Sequence, residues 1–268
     1  MIHRRPYARK RFGQHFLQDN NVLNNIVSAA NICPDDHIIE IGPGRGALTR
    51  KLLESGAMIS VIEIDRDLAG DLQKEFSKHS NFEIITADIL QIDWDEILSK
   101  TKANKIIANL PYNISTPLFF KFIRWRDQLK SITVMVQKEV AERLCHNGEG
   151  KKLKDYGVLS VISTLVFSSR LLFKVPPTCF IPEPKVDSAV IQLETKDIVL
   201  RDEEGFFKFV QRAFNLRRKL LSTFLRKNES ALYDQLSQTD KQHLENLRPE
   251  NILPSQYLNL YYKRRILD

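Results

Sequence analysis

The chain has 268 residues, 43% hydrophobic and 27% charged, which suits one large domain or a medium domain with a small one and lies outside the range of disordered chains. Its net charge of +7 attracts polyanions such as nucleic acid. Three scattered cysteines (Cys33, Cys145 and Cys179) argue against a disulfide framework or a cysteine zinc site, and the longest apolar stretch, Val158 to Phe167, is too short to span a bilayer.

The chain opens on a basic arm containing Arg4, Arg5, Arg9, Lys10 and Arg11, without the apolar core of a secretory signal. Asp19-Asn20 can cap a helix whose apolar stripe is Val22, Leu23, Ile26, Val27 and Ala30. From residue 37 short β-branched runs at 37–41, 58–64, 82–86, 104–108 and 131–137 alternate with helical stretches near 46–55, 66–78, 93–99, 116–125 and 138–145. Such alternation predicts an α/β fold with a parallel sheet wound on both faces. Another helix is expected over 156–168, then strands near 170–175 and 188–194 around a proline-rich loop. Beyond residue 200 the strand patterns stop, and Phe206, Phe209, Val210, Ala213 and Phe214 recur at helical spacing. The expected organisation is therefore a catalytic domain over 1–200 and a small all-helical domain over 201–268.

Ile38-Ile39-Glu40-Ile41 runs into Gly42-Pro43-Gly44-Arg45-Gly46 and then a helix, the nucleotide-binding turn of a doubly wound sheet. Gly42, Gly44 and Ala47 also satisfy the dinucleotide fingerprint, and Glu63, about 20 residues on, can accept hydrogen bonds from a ribose. Both NAD and S-adenosylmethionine (SAM) carry that ribose. The third strand favours SAM, because Thr86-Ala87-Asp88 places an acid where an adenine amine would sit; a helix cap is the plainer role for Asp88. Glu40 can serve the amino-acid end of SAM.

The fourth strand ends in Asn109-Leu110-Pro111-Tyr112, at the strand end where open α/β folds bind ligands. An aromatic amine is a poor nucleophile because its lone pair is delocalised. The Asn109 side-chain carbonyl and the Leu110 main-chain carbonyl can accept its two hydrogens and aim the lone pair at a methyl donor. Pro111 stiffens the turn, and Tyr112 offers a ring for a base to stack on. Downstream, in Val175-Pro176-Pro177-Thr178-Cys179-Phe180-Ile181-Pro182-Glu183-Pro184-Lys185-Val186-Asp187-Ser188, Phe180 is the candidate to cover the other face of the base. A core position beneath the loop is its alternative. Lys185 can meet a phosphate, as can the clusters Arg9-Lys10-Arg11 and Arg217-Arg218-Lys219.

Together these segments resemble the 16S ribosomal RNA adenine dimethyltransferase family, which includes the erythromycin-resistance 23S RNA methylases. The resemblance runs from Arg9-Lys10-Arg11-Phe12-Gly13-Gln14-His15-Phe16-Leu17 to Ala213-Phe214-Asn215-Leu216-Arg217-Arg218-Lys219. Asn109-Leu110-Pro111-Tyr112-Asn113-Ile114-Ser115 and Pro184-Lys185-Val186-Asp187-Ser188 are its most specific parts, and the latter favours the 16S branch. The resemblance implies a Rossmann-like SAM-dependent methyltransferase sheet of seven strands, one antiparallel, followed by a small C-terminal helical domain. It implies SAM contacts at His15, Leu17, Gly42, Glu63, Asp88 and Asn109, with His15 standing where some members have Asn. It also implies dimethylation of two adjacent adenosines in a 3′-terminal hairpin loop of 16S rRNA, in an immature 30S particle, and the scattered cysteines fit a reducing cytoplasm. A monomer needing no metal and no membrane is expected. Two other readings compete. A DNA adenine or protein glutamine methyltransferase usually carries Asn/Asp-Pro-Pro-Tyr, where Leu110 stands here. An RNA-binding assembly factor with secondary catalysis would also use the basic clusters.

Overall fold

A computed structural model gives the fold for residues 14–150 and 153–265. Arg9, Lys10 and Arg11 lie outside the described residues. The chain divides into two compact units: one runs to Ala141 and resumes over Arg170–Thr195, the other takes Glu142–Ser169 and the chain from Lys196 onward.

The first unit begins with a short strand β1 (Phe16–Leu17) and helix α1 (Asn20–Ala29), capped by Asp19, whose carboxylate accepts the Val22 N–H at 3.0 Å. The expected alternation follows: β2 (His37–Ile41), α2 (Ala47–Leu53), β3 (Met58–Glu63), α3 (Arg66–Phe76), β4 (Phe82–Thr86), α4 (Trp94–Thr101), β5 (Lys105–Asn109), α5 (Ser115–Trp125) and β6 (Ser131–Gln137). The chain continues through α6 (Lys138–Leu144), α7 (Val158–Val166), β7 (Phe167–Val175), β8 (Phe180–Ile181) and β9 (Ser188–Thr195). Seven strands form one sheet in the order β4-β3-β2-β5-β6-β9-β7. The β4-β3-β2-β5-β6 stretch is parallel, and β9 runs antiparallel to β6. Parallel strands covered on both faces need continuous apolar side chains, and Ile38, Ile39, Ile59, Val61 and Ile106 are fully buried. Because the first five strands run the same way, Glu40, Glu63 and Asn109 all fall at one edge of the sheet.

The opposite edge is closed by charge. Asp36, just before β2, is 3% exposed and accepts from Lys105 Nζ at 2.7 Å, from Asn104 Nδ2 at 3.0 Å and from the Cys33 N–H at 2.8 Å. Lys130 adds a longer contact at 3.4 Å. Burial alone would raise the Asp36 carboxyl, but these donors, Lys105 first, bring it down to about 2. Lys105 also donates to the carbonyls of Ala30 and Asn31, tying the end of α1 to β5.

Two short strands were not foreseen. β1 and β8 pair antiparallel, with Phe16 opposite Ile181 and Leu17 opposite Phe180. Also, β7 starts at Phe167, inside the stretch expected as helix: the Phe167 N–H closes α7 on the Ser163 carbonyl, and the chain leaves in extended conformation.

The second unit contains α7, α8 (Glu203–Asn215), α9 (Leu221–Asn228), α10 (Ser230–Gln235), α11 (Gln238–Leu244) and α12 (Pro254–Arg265). Phe206, Phe209, Val210 and Ala213 are buried, as their spacing predicts. α7 packs against α8 and α12, and the Tyr156 hydroxyl donates to the Ile252 carbonyl at 2.8 Å. The division therefore departs from a single cut near residue 200, because the apolar sequence of α7 signals burial without saying against which partner.

Candidate active site

The glycine turn between β2 and α2 is set by backbone geometry. Gly44 and Gly46 have φ of 58° and 72°, in the left-handed region that glycine adopts without strain. A Cβ on Gly44 would come within 2.9 Å of the Phe16 ring, and one on Gly46 within 2.7 Å of Leu72. Gly44 thus admits the strap of residues His15–Leu17, and Gly46 admits α3. Phe16 lies under the Arg45 guanidinium at 4.3 Å, a cation–π contact that presses the strap onto the turn.

A cavity of about 390 Å³ opens at the carboxyl ends of β2 to β5, within the size range of small-molecule sites. His15, Leu17, Glu40, Gly42, Gly44, Glu63, Asp88, Asn109, Leu110 and Tyr112 all line it. Glu63 is buried at the end of β3, and its carboxylate accepts the Gly44 N–H at 3.2 Å and the Asp65 N–H at 2.9 Å. Burial raises its carboxyl, and those two N–H groups oppose the rise. Glu40 is buried more deeply and accepts from the Thr49 hydroxyl at 2.6 Å. Burial, with Glu63 nearby, pushes it up to about 8. Asp88 is half-buried and holds the turn after β4, accepting the Leu90 N–H at 2.9 Å and Gln91 Nε2 at 3.0 Å. Asp88 thus holds a turn and caps no helix, since Asp93 caps α4. A carboxylate has lone pairs beyond those two bonds, so a ligand amine can still be accepted.

This wall suits SAM. Glu40, Glu63 and Asp88 give the cavity three acids, two of them buried. Among the described residues, no group of three His, Cys, Asp or Glu side chains is placed to hold a metal ion, and no helix is long and apolar enough to cross a membrane.

The reacting motif is pinned on several sides. The Leu110 N–H donates to the Met135 carbonyl of β6 at 3.1 Å, and the Ile114 N–H to the Pro111 carbonyl at 3.1 Å. Ser115 Oγ donates to the Tyr112 carbonyl at 3.0 Å. Asn109 Nδ2 donates to the His15 carbonyl at 3.2 Å, which leaves Oδ1 as the accepting end of the amide. The His15 ring stacks on Tyr112, with centroids 5.5 Å apart and planes at 24°, and its Nδ1 lies 2.7 Å from the Pro182 carbonyl. The Tyr112 hydroxyl lies 2.6 Å from Ser188 Oγ.

Phe180 does not join this group. It is 1% exposed and packs in the core with Leu17, Leu23 and Val175, while its neighbour Ile181 is the exposed residue of β8. Strand alternation turns one of the two inward, and the pairing of Phe180 with Leu17 selects it. The placement of Phe180 over a base is thus corrected to a core position. Arg217 is corrected likewise: half-buried, it donates to the carbonyls of Leu153 and Lys154 and faces Glu250 at 3.6 Å, so it holds the helical unit together. Arg218, Lys219 and Lys185 are exposed. Sequence reasoning gave no role to Phe16, Arg45 or Ser188. For all three, membership of a quoted motif is the only signal in the sequence.

Comparison with known proteins places this geometry. A family profile described as ribosomal RNA adenine dimethylase matches residues 6–259. The chain is 43% identical over 215 residues to the ribosomal RNA small subunit methyltransferase A of Clostridium perfringens, covering 79% of this chain and 74% of the relative. Among solved structures it resembles a dimethyladenosine transferase from Plasmodium falciparum, with a TM-score of 0.78, 26% identity, and coverage of 94% of this chain and 98% of that one. It shares its fold with the 23S rRNA methyltransferase ErmE, at a TM-score of 0.65 and 24% identity over 93% of this chain and 99% of that one. With the glycine turn, the acids of the wall and the Asn-Leu-Pro-Tyr strand end gathered on one cavity, and the match extending over nearly the whole chain, this protein belongs to the ribosomal RNA adenine dimethylase family.

Proposed function

We propose that the chain transfers methyl groups from SAM to N6 of two adjacent adenosines in the 3′-terminal hairpin loop of 16S rRNA, dimethylating each, in an immature 30S particle in the cytoplasm. The observation that carries this reading is the fixed orientation of Asn109: its Nδ2 is committed to the His15 carbonyl, so Oδ1 is the end that accepts from an amine.

Bound in the cavity, SAM supplies a methyl group made electrophilic by its positive sulfur. Glu63 and Asp88 hold the two polar ends of its adenosine. Asn109 Oδ1 and the Leu110 carbonyl accept the two hydrogens of N6, drawing the nitrogen out of conjugation. The Leu110 carbonyl is held in place because the same residue's N–H is bonded to β6. Tyr112 gives the base a face to lie on. Orientation and electrostatics supply the rate, and the proton released from the methylated nitrogen passes to water.

Incubation with labelled SAM and undermethylated 30S subunits, duplex DNA or protein tests the reading. Transfer to the 30S subunits is expected, and label only in DNA or protein would sink it. Asn109→Ala is expected to keep binding the particle and to lose transfer by about a hundredfold or more, the size of effect seen when one oriented polar group is removed from a reacting site.

A further inference from the structure

Tyr112 is anchored from outside its own motif. Its hydroxyl meets Oγ of Ser188 at 2.6 Å, 76 residues downstream. Ser188 is the first residue of β9, is fully buried, and sits opposite Gln137 of β6 in the sheet register. The residue before it is also tied down: the Asp187 carbonyl accepts the Lys138 N–H at 3.0 Å, and its carboxylate faces Lys138 Nζ at 3.4 Å. Ser188 is thus a rigid point. Tyr112 is only half-buried, and its ring already stacks on His15.

We propose that Ser188 is a positioning residue for the methyl acceptor: it locks the Tyr112 ring through the hydroxyl, and the lock matters most for the second methyl transfer to the same nitrogen. This rests on the adenine reading above.

In the first transfer N6 brings two hydrogens, and both carbonyls of the motif can hold them. The N6 lone pair forms the new N–C bond. The C–S bond of the donor breaks, and its electron pair stays on sulfur. One N–H proton then leaves to water. The product amine has one hydrogen and one methyl, so only one of the two carbonyls still has a partner. In-plane control of the base is halved, while the stacking face is unchanged. The second transfer therefore leans more on Tyr112 keeping its orientation. The Tyr112 oxygen lies on the axis of the ring torsion, so its bond to a buried strand fixes χ1 and the position of the ring, while stacking on His15 sets the plane. Orientation lost at this step appears directly as rate.

The test is a time course on undermethylated 30S subunits, with monomethyl- and dimethyladenosine quantified by mass spectrometry of the digested rRNA. Ser188→Ala and Tyr112→Phe each remove one side of the bond. Each is expected to raise the monomethyl-to-dimethyl ratio about five- to tenfold, the worth of one hydrogen bond. The double variant is expected to be no worse than either single one, because both delete the same bond. Ser188→Thr, which keeps a hydroxyl, is expected to restore the ratio. SAM affinity by calorimetry is expected to stay within about twofold, since only positioning of the acceptor is altered. If Ser188→Ala fails to fold, Tyr112→Phe decides, as it removes a single oxygen at a half-buried position. Variants that dimethylate with the wild-type ratio, or that lose both transfers equally, would overturn the proposal. A wild-type protein that forms no dimethyladenosine at all would instead overturn the adenine reading beneath it.

Discussion

The two edges of the parallel sheet treat buried carboxylates in opposite ways. At the amino edge Asp36 is surrounded by donors, with Lys105 at 2.7 Å and Lys130 at 3.4 Å, and is brought down to about 2. Four residues along, at the other end of β2, Glu40 has the Thr49 hydroxyl and the neighbouring carboxylate of Glu63, and is pushed up to about 8. Both acids are almost completely buried. The difference lies in what each was given as a partner. One edge is electrostatically complete and holds the fold. The other keeps buried acids with no basic partner beside them among the described residues, raised by burial and by neighbouring carboxylates, a state that recurs at binding walls.

Lys105→Met breaks the complete edge. It leaves a buried carboxylate short of its main partner and two carbonyls without a donor, so a loss of about 3 kcal/mol is expected in denaturant unfolding. SAM affinity, measured on the folded fraction, is expected to hold. A loss under half that size would mean that Lys130 and Asn104 suffice.

pH separates the edges by sign. The Asp36 carboxyl lies below its unfolded value, so its contribution of about 2 kcal/mol is present above pH 4 and lost as pH falls toward 2. Glu40 lies above its unfolded value, so its stability is full below pH 4.5 and lost as pH rises through about 8. Unfolding curves from pH 2 to 9 are expected to show both limbs. Asp36→Asn should flatten the acid limb, and Glu40→Gln the alkaline one. An alkaline limb unchanged in Glu40→Gln would show that the wall is compensated after all.

Glu63→Ala sharpens the comparison from the ligand side. SAM affinity is expected to fall by about 1–3 kcal/mol, the value of a charged hydrogen bond, with a smaller stability change than Lys105→Met. Unchanged affinity by calorimetry would remove Glu63 from the site.

Most of this arrangement was legible in the sequence, for local reasons. The glycine turn is readable because its positive φ angles leave few residue choices. Glu63 and Asn109 are readable because a parallel sheet must deliver strand ends to one edge. What escaped depended on distant pairing. Phe180 faces inward because β8 pairs with β1, some 160 residues earlier, and neither two-residue strand has a periodicity to detect. Arg217 reads as a surface cation beside Arg218 and Lys219, yet its guanidinium is taken by two carbonyls near residue 153, which the sequence assigns to another domain. Ser188 is visible as part of a motif, but its bond to Tyr112 reaches past β6, from the end of β5 to the start of β9.

The β1–β8 pairing has a consequence for how quickly molecules can come and go. Residues 15–18 are held over the cavity by a pair of two-residue strands, the Gln18 N–H bond to the Cys179 carbonyl, the His15 contacts, the Arg45 cation on the Phe16 ring and the burial of Phe16 and Leu17. A segment with so few backbone hydrogen bonds opens at a lower free energy than the central strands of a seven-stranded sheet. Amide hydrogens here should exchange with solvent well before those of β2 and β5, and spent cofactor can depart on that faster clock while the seven-stranded sheet stays intact.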